Sequence, residues 1–362
     1  MSILTGLQAV RALSECRPGG SVRAIYWSKT GAFFEVPTNL EARAFLDGVP
    51  AGARGLELVL GSSGGFRPIK SGRFAARPES ISIDAVLVCC HGGPGEDGSL
   101  QAALDLAGIA YSGPSASSAA LGMDKYASGA VLEAAGVPVL ARLVLREGTP
   151  VPDFSPPYIV KPRFGGSSIG IEIVSDYETA LALLRSSVHL RRGGVLEPYR
   201  SDLSDLQVAV RTWPEVQLSA IERPIRKSEQ AGILNYADKY VGGAGMDAAP
   251  RELPADISPE LSEQLRYCAL VATGALGVRG VGRIDFLSDG KELFVNEINT
   301  IPGSLSRHLF VEPRLAFAQL LDDLLAEAVG HPTTQFSSAG SDGLVLRDAQ
   351  AIAAKLAPPE TR

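Results

Sequence analysis

The sequence predicts an α/β protein, and three observations carry that prediction. Over the first 115 residues helical and strand patterns alternate, the signature of a parallel sheet covered by helices. Past residue 115 the pattern changes to short strands set around a Gly/Ser loop and a helix, as in a small α+β unit. Farther on, two apolar runs at 282–287 and 292–295 meet at Asp289-Gly290, the strongest short-range hairpin signal. A chain of 362 residues has room for two or three domains, and 45% hydrophobic with 20% charged residues suits a soluble globular core. A net charge of −6 leaves no electrostatic footprint for nucleic acid. The longest apolar runs, such as 85–90, are too short to span a bilayer, so no membrane partner is expected. The N-terminus lacks a basic stretch followed by an apolar one. Cys16, Cys89, Cys90 and Cys268 show neither disulfide nor zinc spacing, which suits a reducing cytoplasm.

In order, residues 4–13 read as helix, 22–27 and 56–60 as strands, and 80–90 as the strongest early strand, ending at His91 and a glycine-rich loop. Residues 97–106 read as helix and 109–111 as a short strand. Residues 118–135 are helical, 138–145 a strand, and 158–162 and 169–174 strands flanking the Gly/Ser loop. A helix at 177–184 and a strand at 194–199 follow. The stretch 206–222 holds two strands. Residues 223–253 are turn-rich with little apolar periodicity, the length of a lid or binding loop. Ser258-Pro259-Glu260 opens the best helix, with Leu261, Leu265, Cys268, Ala272 and Leu276 at helical spacing. Beyond residue 331 the tail is Ser/Thr/Gly-rich, with a weak helix at 348–356, and is expected to be loosely held.

Four constellations carry chemistry. In the hairpin, Asp285, Glu297 and Asn299 alternate with apolar residues, so period two points them, with Arg283, to one face. Three hard oxygen ligands suit Mg²⁺ bridging nucleotide phosphates, and an arginine beside them suits a negatively charged transition state. The alternative is a solvent-facing polar strip closed by an Asp–Arg pair. In "YIVKPRFGGSSIGI", Lys161 ends a strand before a loop rich in N–H and hydroxyl donors. It lacks the Gly-Lys-Ser/Thr of a phosphate-binding Walker loop, and a plain tight turn would read the same way. "HGGPGEDG" fits G-x-G-x-x-G, but Glu96 and Asp97 would stand where a pyrophosphate needs positive potential. The dinucleotide reading therefore fails, and Cys89 and Cys90 read as core thiols beside a site-facing His91. In "ILNYADKYVGG", a lysine and two tyrosines suit a lid over phosphate, or an ordinary exposed loop.

Together these pieces resemble the D-alanine–D-alanine ligase family of the ATP-grasp superfamily. "HGGPGEDGSLQ", "GMDKYASG", "IVKPRFGGSSIG", "NYADKY", "GRIDF" and "NEINTIPG" occur in the family's order across residues 2–331. The resemblance implies a three-domain ATP-grasp fold. A parallel-sheet N-terminal substrate domain (1–114) would precede central (115–200) and C-terminal (201–333) α+β domains gripping ATP, with a tail at 334–362. By position, Lys125, Lys161 and Ser168 would contact the nucleotide phosphates, Glu197 and Tyr199 the adenine hinge, Asp205 the ribose, and Lys239 the γ-phosphate from the lid. Asp285, Glu297 and Asn299 would hold two Mg²⁺ ions, with Mn²⁺ as a substitute. Arg283 and the Gly303 N–H would bind the oxyanion of the tetrahedral intermediate. The implied reaction joins two D-alanines, through an acyl phosphate, into the dipeptide of peptidoglycan precursors in cell-wall synthesis. Small amino acids would be the substrates, and a cytoplasmic homodimer is the expected form.

Three departures qualify that expectation. The chain starts with "MSILTGLQAV" where the family has already made its first strand, a glycine loop and a substrate-binding glutamate, so of the usual Glu–Ser–Tyr link only Ser167 and Tyr240 are expected, with Ser2 and Thr5 at the start of the first helix. His308, beside Arg307, stands where the family presents a serine to the second substrate's carboxylate, unless a register shift lets Ser306 serve; His91 completes the expected substrate-binding set. Leu234 and the run at 203–226 also diverge. A sister ligase joining different amino acids and a catalytically dead nucleotide-binding module are the competing expectations.

Overall fold

The first helix, α1 (Ser2–Cys16), buries Thr5, Ala9 and Leu13 at four-residue intervals, the stripe that seats an amphipathic helix on a core. The structure is a computed structural model that describes residues 1–17, 22–70, 78–225 and 250–333, with 352 and 356 beyond them. The expected lid with Lys239 and Tyr240, Leu234, and nearly all of the expected loose tail lie outside the described residues.

Next come β1 (Ala24–Trp27), β2 (Phe33–Val36), β3 (Arg54–Val59) and β4 (Gly65–Pro68), each antiparallel to the one before. The parallel N-terminal sheet expected from the alternation is corrected here. Among the described residues parallel pairing is confined to Val86 and Tyr111. There the Val86 N–H donates to the Ala110 carbonyl at 2.8 Å and the Ser112 N–H to the Val86 carbonyl at 2.9 Å. Residues 80–90 therefore form no extended ladder. The physical reason is separation: an apolar cavity of about 650 Å³, lined by Leu13, Ile25, Trp27, Val86 and Val88, stands between β1 and this segment. A short helix, α2 (Ser99–Leu106), packs Leu100 and Leu104 into the same core.

Two capped helices lead into the middle of the chain. Ser115 caps α3 (Ala116–Met123) by accepting the Ser118 N–H, and Asp124 caps α4 (Lys125–Ala134) by accepting the Tyr126 and Ala127 N–H groups. Capping by short polar side chains satisfies the orphan donors of the first turn; here it fixes Lys125 as the first residue of α4. The central sheet has the order β5 (Leu143–Leu145), β8 (Gly194–Pro198), β6 (Tyr158–Pro162), β7 (Glu172–Val174), antiparallel throughout, and α5 (Tyr177–Ser186) covers it.

The C-terminal sheet has the order β10 (Gln217–Leu218), β9 (Ser204–Arg211), β13 (Val281–Ser288), β14 (Leu293–Asn299). A two-stranded ribbon, β11 (Arg223–Pro224) with β12 (Arg251–Glu252), borders it. Helix α6 (Pro259–Ala275) starts where expected: Ser258 accepts the Leu261 N–H at 3.2 Å, and Leu261, Leu265, Cys268 and Ala272 are buried. Sequence reading passed over α7 (Phe317–Gly330), which buries Leu320, Leu321 and Leu324. Three apolar clusters result. The central sheet with α5 forms one; the face of β9, β13 and β14 under α6 forms a second, which also takes Leu132 and Val137; α1, α2 and α7 share the third.

Candidate active site

The hairpin β13–β14 pairs Arg283 with Asn299 and Asp285 with Glu297. Ile284, Phe286 and Ile298 between them are buried in the core, so the polar four share the other face and line a cavity of about 500 Å³. Arg283 grips Asp285 through both ends of its fork, Nε to Oδ1 at 2.6 Å and Nη2 to Oδ2 at 2.7 Å. The Asn299 amide donates to the same carboxylate at 3.0 Å. Lys125 Nζ stands 3.1 Å from the Glu297 carboxylate and donates to the Gly165 carbonyl at 2.6 Å. Both acids are thus held by cations, which offsets the cost of withdrawing charge from water. No group of three or more His, Cys, Asp and Glu side chains converges among the described residues. A cation here would rest on two carboxylates, the Asn299 amide oxygen and oxygens of the ligand itself, a donor set that fits Mg²⁺ bound together with phosphates.

A smaller cavity of about 100 Å³ adjoins the first and shares Lys125, Gly165, Gly166, Asp205 and Glu297 with it. Glu197, wholly buried, sits at its back between Lys161 Nζ at 2.6 Å and Arg142 Nε at 2.8 Å. Burial alone would raise the Glu197 carboxyl; Lys161 and Arg142 overcome it and hold the acid below its ordinary value, so it stays ionised. Lys161 also donates to Asn296 Oδ1 at 2.9 Å. Ser168, Tyr199 and Asp205 line this cavity and Ser167 the larger one. Ser167 and Ser168 lie in the left-handed region at φ 58° and 57°. Such residues cost about 1–3 kcal/mol each and persist where the surroundings over-determine them, often at ligand clamps.

The turn after β14 is more strained still. Ser304, Leu305 and Ser306 are consecutive left-handed residues at φ 48°, 51° and 51°. The Ser304 N–H donates to Thr5 Oγ1 at 3.0 Å, and Thr5 Oγ1 lies 2.8 Å from His91 Nε2. His91 Nδ1 is 2.7 Å from the Ile301 carbonyl, which can only accept. Nδ1 therefore carries the proton, and Nε2 accepts from the Thr5 hydroxyl. Burial pushes the His91 ring down to about 4, consistent with a neutral imidazole. Glu96 closes the network, accepting the Gly92 N–H at 2.8 Å and the Ile301 N–H at 3.0 Å. His91 borders the cavity, but both ring nitrogens hold protein groups and so fix the Pro302-Gly303 turn.

Ser306 and His308, the two candidates expected to face the second substrate's carboxylate, are placed differently. Ser306 is fully buried, its hydroxyl has no partner, and it does not line the cavity; the left-handed turn rolls it toward the core beside Leu305. His308 is the residue from this turn that reaches the cavity wall, where Nε2 lies 3.3 Å from Glu222. Arg307 instead lies over the Phe317 ring at 5.3 Å. Cys89 fits its reading as an inert core thiol, since burial and Cys90 push it up to about 12. Sequence reading gave no role to Arg142, Glu222 and Arg251, which fall in none of the quoted motifs, nor to Asn296, which opens "NEINTIPG".

Residues 1–114 match the family model for the D-ala D-ala ligase N-terminus, and residues 149–326 the model for the D-ala D-ala ligase C-terminus. The chain is 32% identical over 305 residues to a D-alanine–D-alanine ligase of Mycolicibacterium smegmatis, covering 78% of each chain. To one of Corynebacterium aurimucosum it is 33% identical over 259 residues, 68% of this chain and 71% of the relative. Among solved structures it resembles the D-alanine–D-alanine ligase of Helicobacter pylori, with TM-score 0.69 and 24% identity over 92% of this chain and 95% of that one. The VanG D-Ala:D-Ser ligase of Enterococcus faecalis aligns with TM-score 0.69 and 23% identity over 89% and 94%. With both family models matched and two thirds or more of the chain aligned to relatives above 30% identity, this chain belongs to the D-alanine–D-alanine ligase family.

Proposed function

We propose that this chain is an ATP-dependent ligase that joins two D-alanine molecules into D-alanyl-D-alanine for peptidoglycan precursors. The observation that carries the reading is the pair of adjoining cavities whose common wall is Lys125, Asp205 and Glu297. One cavity takes the nucleotide, with Lys161 and Ser168 toward its phosphates, Glu197 and Tyr199 at the adenine and Asp205 at the ribose. The other takes the amino acids, over Arg283, Ser167 and the Gly303 N–H. Lys239 and Tyr240 belong to the same reading as groups of the lid. The division at 1–114, 115–200 and 201–333 belongs to it too; the cluster of the central sheet with α5 lies within the middle unit, while each of the other two clusters joins residues from two units.

The first D-alanine's carboxylate oxygen attacks the γ-phosphorus of ATP, the bond to ADP breaks, and an acyl phosphate forms. The amine of the second D-alanine attacks that carbonyl; phosphate leaves, the amine gives up a proton, and an amide remains. Mg²⁺ held by Asp285, Glu297 and Asn299 would supply charge neutralisation at the phosphates. This chain's residues supply position and field: Arg283 faces the developing oxyanion, and Lys125 and Lys161 hold the phosphoryl oxygens in line.

A second reading, a ligase joining different amino acids, is favoured by His308 standing with Glu222 and Arg251 at one end of the larger cavity. Phosphate release from ATP with a panel of D- and L-amino acids decides between them. Release with D-alanine alone is expected; release only with other acceptors supports the second reading, and none at all overturns both. Glu297→Gln should keep the fold and lose Mg²⁺-dependent turnover. Undiminished turnover in that variant would refute the assignment of the metal ligands.

A further inference from the structure

The two lysines read as phosphate contacts stand on elements that pack into different apolar clusters. Lys125 opens α4, whose Leu132 belongs to the cluster under α6. Lys161 lies in β6, whose Tyr158 and Val160 belong to the cluster of the central sheet. Both lysines border the smaller cavity. Between them runs an ion pair to which the ligase reading gives no role. Arg163, two residues past Lys161, grips Asp124, the residue before Lys125. The grip is two-pronged, Nε to Oδ1 at 2.8 Å and Nη2 to Oδ2 at 2.6 Å. The main chain follows it, for the Lys125 N–H donates to the Arg163 carbonyl at 3.1 Å and the Arg163 N–H to the Gly193 carbonyl at 3.1 Å. Lys125 Nζ in turn donates to the carbonyl of Gly165, two residues past Arg163, at 2.6 Å. Two rings flank the guanidinium, with the centre of Tyr126 at 5.7 Å and that of Phe164 at 5.2 Å.

We propose that Arg163 is a positioning residue for nucleotide binding: through Asp124 it holds Lys125 at a set distance from Lys161, so that both ammonium groups meet the phosphates of one nucleotide. The inference rests on the ligase reading above, from which it takes the place of the phosphates. Neither Asp124 nor Arg163 lines either cavity, so the pair acts through the lysines. A lysine is a point charge on a flexible four-carbon stem, so the position of its root decides how much freedom is lost when the charge meets a ligand. The planar fork of an arginine fixes angle as well as distance, which suits it to hold such a root. Asp124 serves two ends at once: its Oδ1 also accepts the Tyr126 and Ala127 N–H groups at 3.1 Å each, so the carboxylate that Arg163 grips is the one that starts the helix. Burial pushes the Asp124 carboxyl up, but Arg163 and those N–H groups outweigh it and hold the acid below its ordinary value. With 12% of the Asp124 side chain and 29% of that of Arg163 exposed, the pair is partly screened and adds little to bare stability. Arg142 donates to the Lys125 carbonyl at 2.7 Å, a second tie that keeps the helix seated when Arg163 is removed.

The test compares equilibrium affinity for ATP with Mg²⁺ and for adenosine, which lacks the phosphates, and needs no turnover. Arg163→Met should weaken ATP by roughly fivefold to tenfold, the worth of one hydrogen bond to a charged group, and leave adenosine nearly unchanged. Asp124→Asn keeps a capping oxygen but loses the charge, and should show the same selective loss. Arg163→Lys should recover part of it. The double variant of Arg163→Met with Asp124→Asn should bind ATP no more weakly than the worse single variant, because both changes act through one pair. Should Arg163→Met fail to fold, Asp124→Asn and Arg163→Lys carry the same comparison. A merely structural role would weaken ATP and adenosine alike, and that result overturns the assignment, as does wild-type ATP affinity in the folded variants. Both leave the ligase reading standing. Wild type that binds ATP no more tightly than adenosine overturns the placement of the phosphates, and with it the nucleotide site of the ligase reading.

Discussion

Glu96 and His91 are neighbours in one network with opposite proton preferences. Burial first, and Glu297 nearby, push the Glu96 carboxyl up to about 7 despite its two backbone N–H bonds and Arg283. The folded chain then binds more protons than the unfolded one between about 4.5 and 7, so this group costs stability as pH rises through that window. Burial pushes His91 the other way, from 6.5 to about 4, so the unfolded chain binds more protons there and stability is gained as pH rises. Each slope amounts to about 3 kcal/mol across its window, and where they overlap they cancel. Glu96→Gln should therefore expose a rise in stability from about pH 4 to 6.5, and His91→Asn a fall from about 4.5 to 7. Denaturation midpoints across pH check both; flat profiles in both variants would contradict the burial of the pair.

At the scale of elements, the hairpin that carries the acids holds one residue more than its pattern suggests. Between Asp285 and Phe286 the register slips, so Asn296 is inserted opposite no partner of its own. A bulge leaves the flanking alternation intact while aiming one extra side chain. Here the extra side chain accepts from Lys161, and its carbonyl accepts from Arg142 Nη2 at 2.6 Å. Asn296→Ala should keep the strand and the acids but loosen Lys161, raising KM for ATP by about tenfold, the worth of one hydrogen bond to a charged group. An unchanged KM would separate Asn296 from the nucleotide site. This element also shows what could be read in advance. Asp289-Gly290 marked the turn, and period two put Arg283, Asp285, Glu297 and Asn299 on one face, because local chemistry dictates both. The bulge could not be read, since no residue type demands it. The left-handed Ser304–Ser306 turn could not either: it depends on Thr5, 299 residues away in sequence, accepting the Ser304 N–H. The antiparallel N-terminal sheet was misread for a related reason, as alternation predicts that strands exist but not which edges meet.

Across the whole molecule, the site is assembled from three apolar clusters, and what fixes their mutual position lies outside every motif. Arg279, between α6 and β13, donates to the carbonyls of Tyr111 at 2.9 Å, Gly113 at 2.8 Å, Glu327 at 3.1 Å and His331 at 2.8 Å. It binds the Val86–Tyr111 bridge region and the end of α7 to the root of the strand that carries Arg283 and Asp285. Beside it Arg211 pairs with Asp323 at 2.5 Å, and Thr212 donates to Glu327 at 3.0 Å. Gly280 permits this closeness, for it sits at φ +77° and a Cβ there would come within 3.1 Å of the Gly113 backbone. Arg279→Met would remove a charged donor from four carbonyls, of which that of Glu327 keeps the His331 N–H at 2.8 Å, a loss of about 3–5 kcal/mol. The thermal midpoint should fall by at least about 5 °C. Arg279→Lys should recover little of it, because a single ammonium cannot span acceptors laid out for a planar fork. The seam is held at a distance from the phosphate-binding residues, so KM for ATP should change less than KM for the amino acids, whose cavity takes walls from both sides of the seam. A methionine variant as stable as wild type would mean that the apolar clusters alone hold the parts in register.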